Sequence, residues 1–456
     1  MQEIERRRLL QGIAAAGTIG LAGCGGGGGN GDGSSDGNGG TGGDGGGTGD
    51  TQTANGGGSG SSPIQITLRE RDDPMAAYAP AFNEGHDDIE VKASIQPPEE
   101  KYRSLISEIN AGNAPEVVGL DVIYLPRFVE LGALADLGPL YNEMGHDDYF
   151  DPLFPDFTTW NDTIHGLPFW IDCSVYVYNK AHFEEAGLDP ESPPETFQEF
   201  LDASRAIKEN TDYTPLALNL AGSGSLGLEL FFFMPHVWAG GGKLFNEEMT
   251  ESLIDQQPAI DALKFFKTMY EEDLSTDPTS NDTWTLPPFI NQSTSMAFSA
   301  GYISHIADQA PEVWENMGTA MFPKPEGGTQ SSFLGGNAVV IPEQIKQQSP
   351  EKFEAAKEFI RWSQSEDGMR TTVEDIGYLP PRQSGLETDY VEEQSHLYDE
   401  FTRAMEQGHA PPMHPKIIQM QDPLNGALAR ALLGEQTPEE ALSQAKSEID
   451  SILQQG

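Results

Sequence analysis

The chain has 456 residues, of which 72 are Asp or Glu and only 26 are Lys or Arg, giving a formal net charge of −46. Such a polyanion is repelled by nucleic-acid phosphates and by anionic lipid head groups, which excludes nucleic acid as a partner. The acidic residues are spread along the whole chain. Because molar salt shortens the Debye length to ~3 Å and removes their mutual repulsion, the composition predicts a protein of a high-salt medium, as in a halophile.

Residues 1–24 have the pattern of an export signal. Arg6 and Arg7 precede a leucine pair, as in twin-arginine signals. The apolar run at 13–22 is shorter than the ~20 residues of a membrane-spanning helix. The run ends in Leu-Ala-Gly-Cys at Cys24, which resembles a lipobox, where the signal is cut and the cysteine lipidated. We therefore expect an exported protein, lipid-anchored through Cys24 to the outer face of the cytoplasmic membrane; a stable anchor requires two acyl chains.

Residues 25–62 are interpreted as a disordered tether. Of these 38 residues 20 are glycine, and the remainder are mostly Ser, Asp, Asn and Thr. A segment of this composition buries too little apolar surface to order itself. Coil scaling places the folded part roughly 30–40 Å from its anchor.

From residue 63 onwards, strand-like and helical patterns alternate. In chain order the first runs are 64–68 (strand), 75–82 (helix), 89–91 (strand), 102–109 (helix) and 117–120 (strand). This alternation predicts an α/β fold with a mostly parallel sheet, in which ligands bind beyond the carboxyl ends of the strands. Asp72 and Asp121 follow the first and third strands and are therefore candidates for a cleft.

A second unit begins at Cys173. Capping boxes at Thr196 and Thr437 predict the starts of two later helices. The folded part, just under 400 residues, exceeds what one hydrophobic core usually supports, so we expect two lobes. With Cys24 lipidated, Cys173 has no cysteine partner, so neither a disulfide nor a cysteine-based zinc site is expected.

Eight short motifs follow one another from the first lobe to the C-terminal helices. They are PEVV (115–118), LGAL (131–134), GLP (166–168), YVYNK (176–180), MAF (296–298), GGN (335–337), AAKEFI (355–360) and GYLP (377–380). In this order they resemble the family 1 extracellular solute-binding proteins, the maltose- and sugar-binding receptors of ABC importers, and the likeness spans residues 64–453. The resemblance implies a two-lobe, periplasmic-binding-protein-like α/β fold of type II, hinged, with the solute in a cleft between the lobes.

The resemblance also gives domain boundaries and partners. Lobe 1 is expected at 63–172 and 301–341, and lobe 2 at 173–300 and 342–456. The implied partners are a small solute, expected to be a sugar, and the ABC permease subunits, and the receptor is expected to be a monomer that catalyses no reaction.

Nine residues fall where the family places polar solute contacts or stacking aromatic side chains. They are Asp72, Asp121, Trp170, Asp172, Trp238, Trp284, Tyr302, Gly336 and Asn337. Asp121 is the strongest of these expectations. Each has a plainer interpretation, because an aspartate in so acidic a chain is usually solvated surface and a tryptophan is more often core.

Other motifs carry little weight. The sequence GSGSLG at 222–227 fits a dinucleotide-binding spacing, but a flexible turn at the cleft rim is the better interpretation. The nine histidines show no H-E-x-x-H or other paired ligand spacing, so neither a metal nor a cofactor is expected. Asn161, Asn281 and Asn291 begin glycosylation sequons, which arise often by chance.

Two alternatives to a sugar receptor stay open. An exported glycoside hydrolase needs two carboxylates about 5–10 Å apart, which so acidic a chain can supply. A receptor for a phosphate ester or a polyamine is the other. The phosphate ester ranks lower because only Arg69, Arg71 and Arg382 stand near suitable positions, whereas a polyamine would suit the aspartates and tryptophans.

Overall fold

The computed structural model describes residues 62–145, 147–150, 157–221, 227, 229–280, 285–299 and 303–455. The predicted signal and tether, with Cys24, lie outside this range, as do Trp284, Tyr302 and the sequon asparagine Asn281.

Strands and helices alternate through the first part of the described chain, and helices dominate its C-terminal part. The strands are β1 Ile64–Glu70, β2 Ile89–Ile95, β3 Val117–Asp121, β4 Thr159–Trp160, β5 Thr163–Ile164, β6 Leu167–Cys173, β7 Val175–Asn179, β8 Thr214–Ala217, β9 Thr294–Ser299, β10 Met317–Ala320, β11 Ser332–Val340 and β12 Gly408–His409. The helices are α1 Tyr78–Asn83, α2 Pro98–Ala111, α3 Leu125–Glu130, α4 Gly138–Met144, α5 Lys180–Glu185, α6 Phe197–Asn210, α7 Met234–Ala239, α8 Gln257–Glu271, α9 Leu286–Ile290, α10 His305–Gln309, α11 Pro311–Glu315, α12 Glu343–Gln348, α13 Pro350–Ser363, α14 Glu366–Arg370, α15 Asp389–Glu393, α16 Ser395–Glu406, α17 Ile417–Leu432 and α18 Pro438–Gln454. Short 3-10 or π-helical segments cover Asp73–Ala77, Val122–Tyr124, Glu229–Phe233, Thr371–Ile376 and Gln383–Leu386.

The first sheet contains the three strands predicted at the start of the folded part. Its order is β12-β11-β3-β1-β2, and β6 pairs with β11. Strand β1 runs parallel to β2 and β3, as predicted, whereas β11 runs antiparallel to β3 and β6. The carboxyl ends of β1 and β3 therefore meet at one edge, where Asp72 and Asp121 were expected to lie together.

The second sheet has the order β10-β7-β9-β8. Strands β8 and β9 are parallel, and β7 is antiparallel to both β9 and β10. A single residue, Ser174, separates β6 in the first sheet from β7 in the second. Ser174 is fixed by hydrogen bonds to β11: its backbone N–H donates to Ser332 Oγ at 2.8 Å, and Ser332 Oγ donates back to the Ser174 carbonyl at 2.8 Å.

Each sheet has its own hydrophobic core. In the first, the Tyr78 ring stacks on Phe169 with centroids 4.6 Å apart, and Phe82 packs against Phe359 at 5.5 Å. The second is built on β7 and β9 and is covered by α6, α8, α17 and α18, all of which contribute buried apolar side chains. The described residues thus hold two α/β bodies of aromatic-rich packing.

Packing places two segments differently from the lobe boundaries given above. Helix α13 lies within the range assigned to lobe 2, but Phe359 and Ile360 belong to the core of the first sheet. Strand β10 lies within the range assigned to lobe 1, yet it pairs with β7 in the second sheet. The reason is physical: the apolar face of an amphipathic helix packs on either sheet equally well, so the pattern of α13 does not specify its partner.

The two predicted capping boxes are present. Thr196 and Glu199 cap α6 reciprocally, and Thr437 and Glu440 cap α18 in the same way. Each box satisfies backbone N–H groups that would otherwise lack a partner at the helix start. Within the described residues, no helix combines the length and apolar character needed to cross a membrane.

An ion pair without solvent exposure lies beneath the carboxyl edge of the first sheet. The Lys101 Nζ is 3.6 Å from Glu70 Oε2, both side chains are 0% exposed, and Lys101 donates to the Gly119 carbonyl at 2.7 Å. Burial raises the pKa of Glu70 and lowers the pKa of Lys101, and the attraction between the two charges opposes both shifts. Gly119 leaves room for this pair, because a Cβ there would lie 1.7 Å from Glu70 Oε1.

Removing the buried cation should be costly. We expect Lys101→Met to lower the free energy of unfolding by about 3–5 kcal/mol, because it leaves Glu70 buried without its partner. Lys92→Met is the matched control: Lys92 Nζ also lies 3.6 Å from a carboxylate, that of Glu90, but its side chain is 56% exposed. The control should change stability by no more than about 0.5 kcal/mol in urea denaturation. Equal losses in both variants would contradict the role of burial.

Candidate functional site

Predicted site residues form a row across three adjacent strands of the first sheet. Asn337 on β11 lies opposite Asp121 of β3 on one side and opposite Trp170 of β6 on the other. Directly opposed residues of antiparallel strands place their side chains on the same face. Asp172 and Gly335 form the next pair on this face, after the intervening Ile171–Gly336 pair, and a bulge between Asn337 and Ala338 interrupts the ladder at this row. Sheet edges and bulges of this kind recur at functional sites.

Arg71 joins these residues to the end of β1. Its Nη1 lies 2.8 Å from Asp121 Oδ1, and its Nε lies 3.0 Å from Asp72 Oδ2. Its guanidinium carbon stands 4.9 Å from the centroid of the Trp170 ring, which is a cation–π contact. The structure therefore brings together six of the nine predicted residues, Asp72, Asp121, Trp170, Asp172, Gly336 and Asn337, around a guanidinium that was weighed only as a phosphate ligand.

Both carboxylate oxygens of Asp121 are engaged within the protein. Oδ1 accepts from Arg71, and Oδ2 accepts a hydrogen bond from the Tyr102 hydroxyl. The Tyr102 ring in turn stacks on Tyr124, with centroids 3.7 Å apart. Asp121 is thus held rigidly, and its side chain is only 15% exposed.

Trp170 is fully buried and its ring is covered by other side chains. The Tyr378 ring packs against it with centroids 4.1 Å apart, in addition to the Arg71 guanidinium. The indole Nε1 has no hydrogen-bond partner among the described residues. Trp170 therefore supports Arg71 from below, and its ring does not line the neighbouring cavity.

Asp172 and Asn337 contribute buried polar atoms that are not hydrogen-bonded within the described part of the chain. These atoms are Asp172 Oδ1 and both side-chain atoms of Asn337. Burial raises the pKa of Asp172 to about 7; Arg71 opposes this shift and Asp121 adds to it. Because buried polar groups are normally satisfied, these atoms indicate a place where a polar partner is accommodated.

A small cavity lies between the two cores, directly in front of this row. Its volume is about 60 Å³, and its lining residues are Arg71, Asp121, Val122, Ile123, Tyr124, Asp172, Phe231, Phe333 and Gly336. The charged and polar wall comes from the first sheet. The facing wall is aromatic: the Phe231 and Phe333 rings are 4.0 Å apart, and both pack with the core of the second sheet. The cavity thus joins hydrogen-bonding groups to aromatic surface, although typical ligand pockets measure ~300–1,000 Å³.

Glu229 was not predicted and lies near the aromatic wall, two residues before Phe231. It is 0% exposed, burial raises its pKa to about 8, and the charge of Asp422 adds to the shift. The sequence gives little reason to select Glu229, because it is one acidic residue beside an aromatic run in a chain with 72 Asp and Glu residues. The fold, which sets α17 against this segment, is what makes it a candidate.

Of the remaining predicted residues, only Trp238 lies in the described part of the chain, and it is not part of this group. Trp238 stacks on His409 with centroids 5.0 Å apart and lines a different cavity of about 260 Å³ together with Lys243, Phe245 and Met249. Trp284 and Tyr302 lie outside the described residues and stay predictions. Within the described ranges, no cluster of three or more His, Cys, Asp or Glu side chains has the arrangement of a metal site.

Gly336 is required by the close approach of β11 to β6. Its φ is +126°, a conformation that residues with side chains rarely adopt, and a Cβ would lie 2.2 Å from the Trp170 carbonyl oxygen. The substitution must therefore displace the strand that carries Trp170 and Asp172.

We expect Gly336→Ala to lower the free energy of unfolding by about 1–3 kcal/mol or more, because both the backbone strain and the clash oppose it. Gly85→Ala is a suitable control, since a Cβ there meets nothing closer than 3.9 Å. Thermal unfolding of the two variants should show a lower midpoint for Gly336→Ala. Equal midpoints would mean that β6 and β11 do not approach as described.

The buried carboxyl of Asp172 predicts a pH dependence of stability. Its pKa is about 7 in the folded protein against an ordinary 3.8, so the folded state binds more protons between these values. The free energy of unfolding must then fall as pH rises from about 4 to about 7, by up to about 4 kcal/mol.

Asp172→Asn removes this contribution. Relative to the wild type, we expect the variant to gain stability steadily between pH 4 and pH 8 in denaturant titrations. Asp162→Asn is the control, because Asp162 is exposed at the β4–β5 turn and should leave the pH profile unchanged. Parallel profiles for the wild type and Asp172→Asn would show that Asp172 is not buried in a low-dielectric site.

Comparison with known proteins relates the chain as a whole to one family. The sequence profile of the bacterial extracellular solute-binding proteins matches residues 77–398. Among curated relatives, the arabinooligosaccharide-binding protein of Halalkalibacterium halodurans is 22% identical over 423 residues, covering 82% of this chain and 85% of that protein. The diacetylchitobiose-binding protein DasA of Streptomyces coelicolor is 25% identical over 402 residues, covering 84% and 87%.

Solved structures show the same architecture. The maltose-bound MalE3 of T. maritima superposes with a TM-score of 0.76 at 22% identity, covering 85% of this chain and all of that one. This likeness confirms the predicted fold class, a two-lobe α/β periplasmic-binding-protein-like fold of type II.

Proposed function

The chain belongs to the bacterial extracellular solute-binding protein family, and we propose that it is an ABC-importer receptor that binds a sugar or oligosaccharide between its two lobes. The observation that carries the proposal is the two-sided cavity. One wall supplies Arg71, Asp121 and Asp172, and the other supplies the rings of Phe231 and Phe333. Sugars need both kinds of surface, because their hydroxyls form directional hydrogen bonds while their ring faces pack on aromatic side chains.

The size of the cavity bears on how a solute enters. At about 60 Å³ it holds only a few water molecules, whereas the space needed for a ligand is several-fold larger. Because its walls belong to two separate cores, hinge opening at the strand crossings would enlarge it without disturbing either core. A solute that touches both walls would then favour the closed form, which the permease can recognise.

The two curated relatives and the structural neighbour described above support a carbohydrate. The two curated proteins are named for binding arabinooligosaccharides and diacetylchitobiose, and the structural neighbour holds maltose. The site itself favours a neutral solute over an anion, since Arg71 is already paired with two carboxylates. A phosphate ester would have to compete with Asp72 and Asp121 for the guanidinium.

We further propose that the protein releases the solute chemically unchanged. The alternative, an exported glycoside hydrolase, needs one carboxyl as acid and another as nucleophile or base. Asp121 is committed to Arg71 and Tyr102, which makes it a poor nucleophile. Incubation with oligosaccharides followed by chromatography should show intact sugar, and steady product formation would favour the hydrolase.

The setting of this function is also a proposal. The signal at 1–24 would export the chain by the twin-arginine route, and lipidated Cys24 would anchor it outside the cell with residues 25–62 as tether. The net charge of −46 suits a monomer working in molar salt. Mass spectrometry of the membrane-extracted protein would show whether its N-terminus is an acylated Cys24.

A thermal-shift screen in molar salt tests the solute class. The probes are arabinotriose, N,N′-diacetylchitobiose and maltose, with glycerol 3-phosphate and spermidine as members of the rival classes. A solute at 100 times its Kd should stabilise the folded state by about 2.7 kcal/mol and raise the unfolding midpoint. We expect at least one carbohydrate to do so. A midpoint raised only by glycerol 3-phosphate or spermidine would overturn the sugar assignment.

A further inference from the structure

Two acids of the first lobe, Asp72 and Asp121, are bonded to Arg71 and do not offer the cavity a fully free carboxylate. Asp121 has both oxygens engaged, one by Arg71 and one by Tyr102. Asp72 accepts from Arg71 Nε at 3.0 Å. The aromatic ring nearest to them, Trp170, is buried beneath Arg71 and Tyr378 and does not line the cavity. Three residues expected to touch the solute thus contact Arg71.

Arg71 itself lines the cavity, and some of its N–H donors are not used by the contacts described above. A guanidinium carries five N–H donors, and two of them are accounted for by Asp72 and Asp121. A third N–H donates to the Tyr378 hydroxyl, so two of the five donors remain for a ligand. The side chain is 21% exposed, so part of the guanidinium remains accessible.

The contacts also fix the orientation of the guanidinium. Asp72 holds Nε and Asp121 holds Nη1, while the Trp170 ring lies against the planar group at 4.9 Å. A donor that is held before the ligand arrives loses little side-chain entropy when the ligand binds. The planar fork of an arginine can donate two parallel hydrogen bonds to adjacent oxygens, a geometry that lysine cannot reproduce.

We propose that Arg71 is the principal hydrogen-bond donor of the first lobe to the solute, and that Asp72, Asp121 and Trp170 are positioning residues that hold its guanidinium. The inference rests on the proposed function as a solute receptor. It assigns the solute a pair of adjacent oxygen acceptors, such as neighbouring hydroxyls of a sugar, directed at Arg71. Asp172, whose Oδ1 has no partner among the described residues and which lines the same cavity, accepts a hydrogen bond from a further hydroxyl.

A double-mutant cycle separates positioning from direct contact. The variants are Arg71→Met, Asp121→Asn and the two combined, and the probe is whichever of arabinotriose, N,N′-diacetylchitobiose and maltose shifts the wild type most. Calorimetry gives the affinity of each. We expect Arg71→Met to weaken binding about 10- to 100-fold, as for loss of hydrogen bonds from a charged donor. Asp121→Asn should also weaken binding, because the guanidinium loses its fixed orientation.

The decisive comparison is Asp121→Asn in the Arg71→Met background. If Asp121 acts through Arg71, its substitution there should change affinity less than two-fold. Equal, additive losses in both backgrounds would show that Asp121 contacts the solute itself and would overturn the proposal. Unchanged affinity of Arg71→Met would overturn it as well.

Two further variants protect the cycle from misinterpretation. Arg71→Lys keeps the positive charge between Asp72 and Asp121, so it should fold if Arg71→Met does not, and it should still bind more weakly because the planar fork is lost. Wild-type affinity in Arg71→Lys would overturn the proposal.

Arg69→Met is the control. Arg69 is buried and bonded to Gln96 and Glu108, and it is not part of the cavity wall. The affinity for the solute should therefore persist in this variant even if its stability falls.

The outcomes also separate this inference from the proposed function. A wild type that binds none of the three carbohydrates overturns the proposed sugar receptor and this inference together. A wild type that binds one of them, with Arg71→Met binding equally well, overturns the inference alone.

Discussion

Strand β11 is the element on which the rest of the structure depends. All nine of its residues are buried, and it pairs with β3 on one side and with β6 on the other. Its first part carries Phe333 into the core of the second sheet, while Val339 lies in the core of the first. Between these two anchors stand Gly335, Gly336 and Asn337. The site residues of the first sheet are therefore positioned by a strand that both cores hold, and any slip of its register would move them all.

Charge is handled differently inside and outside the protein. Over the whole chain, Asp and Glu far outnumber Lys and Arg, which gives a formal net charge of −46. Under the carboxyl edge of the first sheet, each buried charge has a near neighbour of opposite sign, as in Lys101 with Glu70 and Arg71 with Asp121. Asp172 and Glu229 are exceptions: burial raises the pKa of both, and neither is paired with a cation in the described structure. Buried ionisable groups with strongly shifted pKa values cluster at functional sites.

The sequence could predict the class of fold and the place of the site, for identifiable reasons. The alternation of strand and helix patterns predicted a parallel sheet, which β1, β2 and β3 form, and the strand-end rule then made Asp72 and Asp121 candidates for the cleft. Capping boxes marked two helix starts because they are local in sequence. Trp170, Asp172, Gly336 and Asn337 followed from the resemblance to a family, and the structure places them side by side across two paired strands.

What the sequence could not predict depends on contacts between distant segments. Arg71 stands beside Asp72 in the chain, but only the fold shows that Asp121 and Trp170 converge on it. The prediction for Trp238 followed from the resemblance to a family, whereas its position in α7 and its stacking on His409 depend on tertiary packing. The sequence likewise did not determine which sheet α13 packs against, because an amphipathic pattern does not specify the surface that the apolar face of the helix covers.

The short connection at Ser174 has a mechanical consequence. Because one residue joins two fully buried strands, a change in orientation between the lobes cannot be spread over a flexible loop at this point. The backbone dihedral angles near Ser174 must then absorb the rotation between the lobes. A small rotation there produces a displacement that grows with distance from Ser174. In the proposed hinge opening, atoms next to Ser174 would move least and the outer rims of the cleft would move farthest. A stiff connection at Ser174 would therefore limit how far the cleft opens.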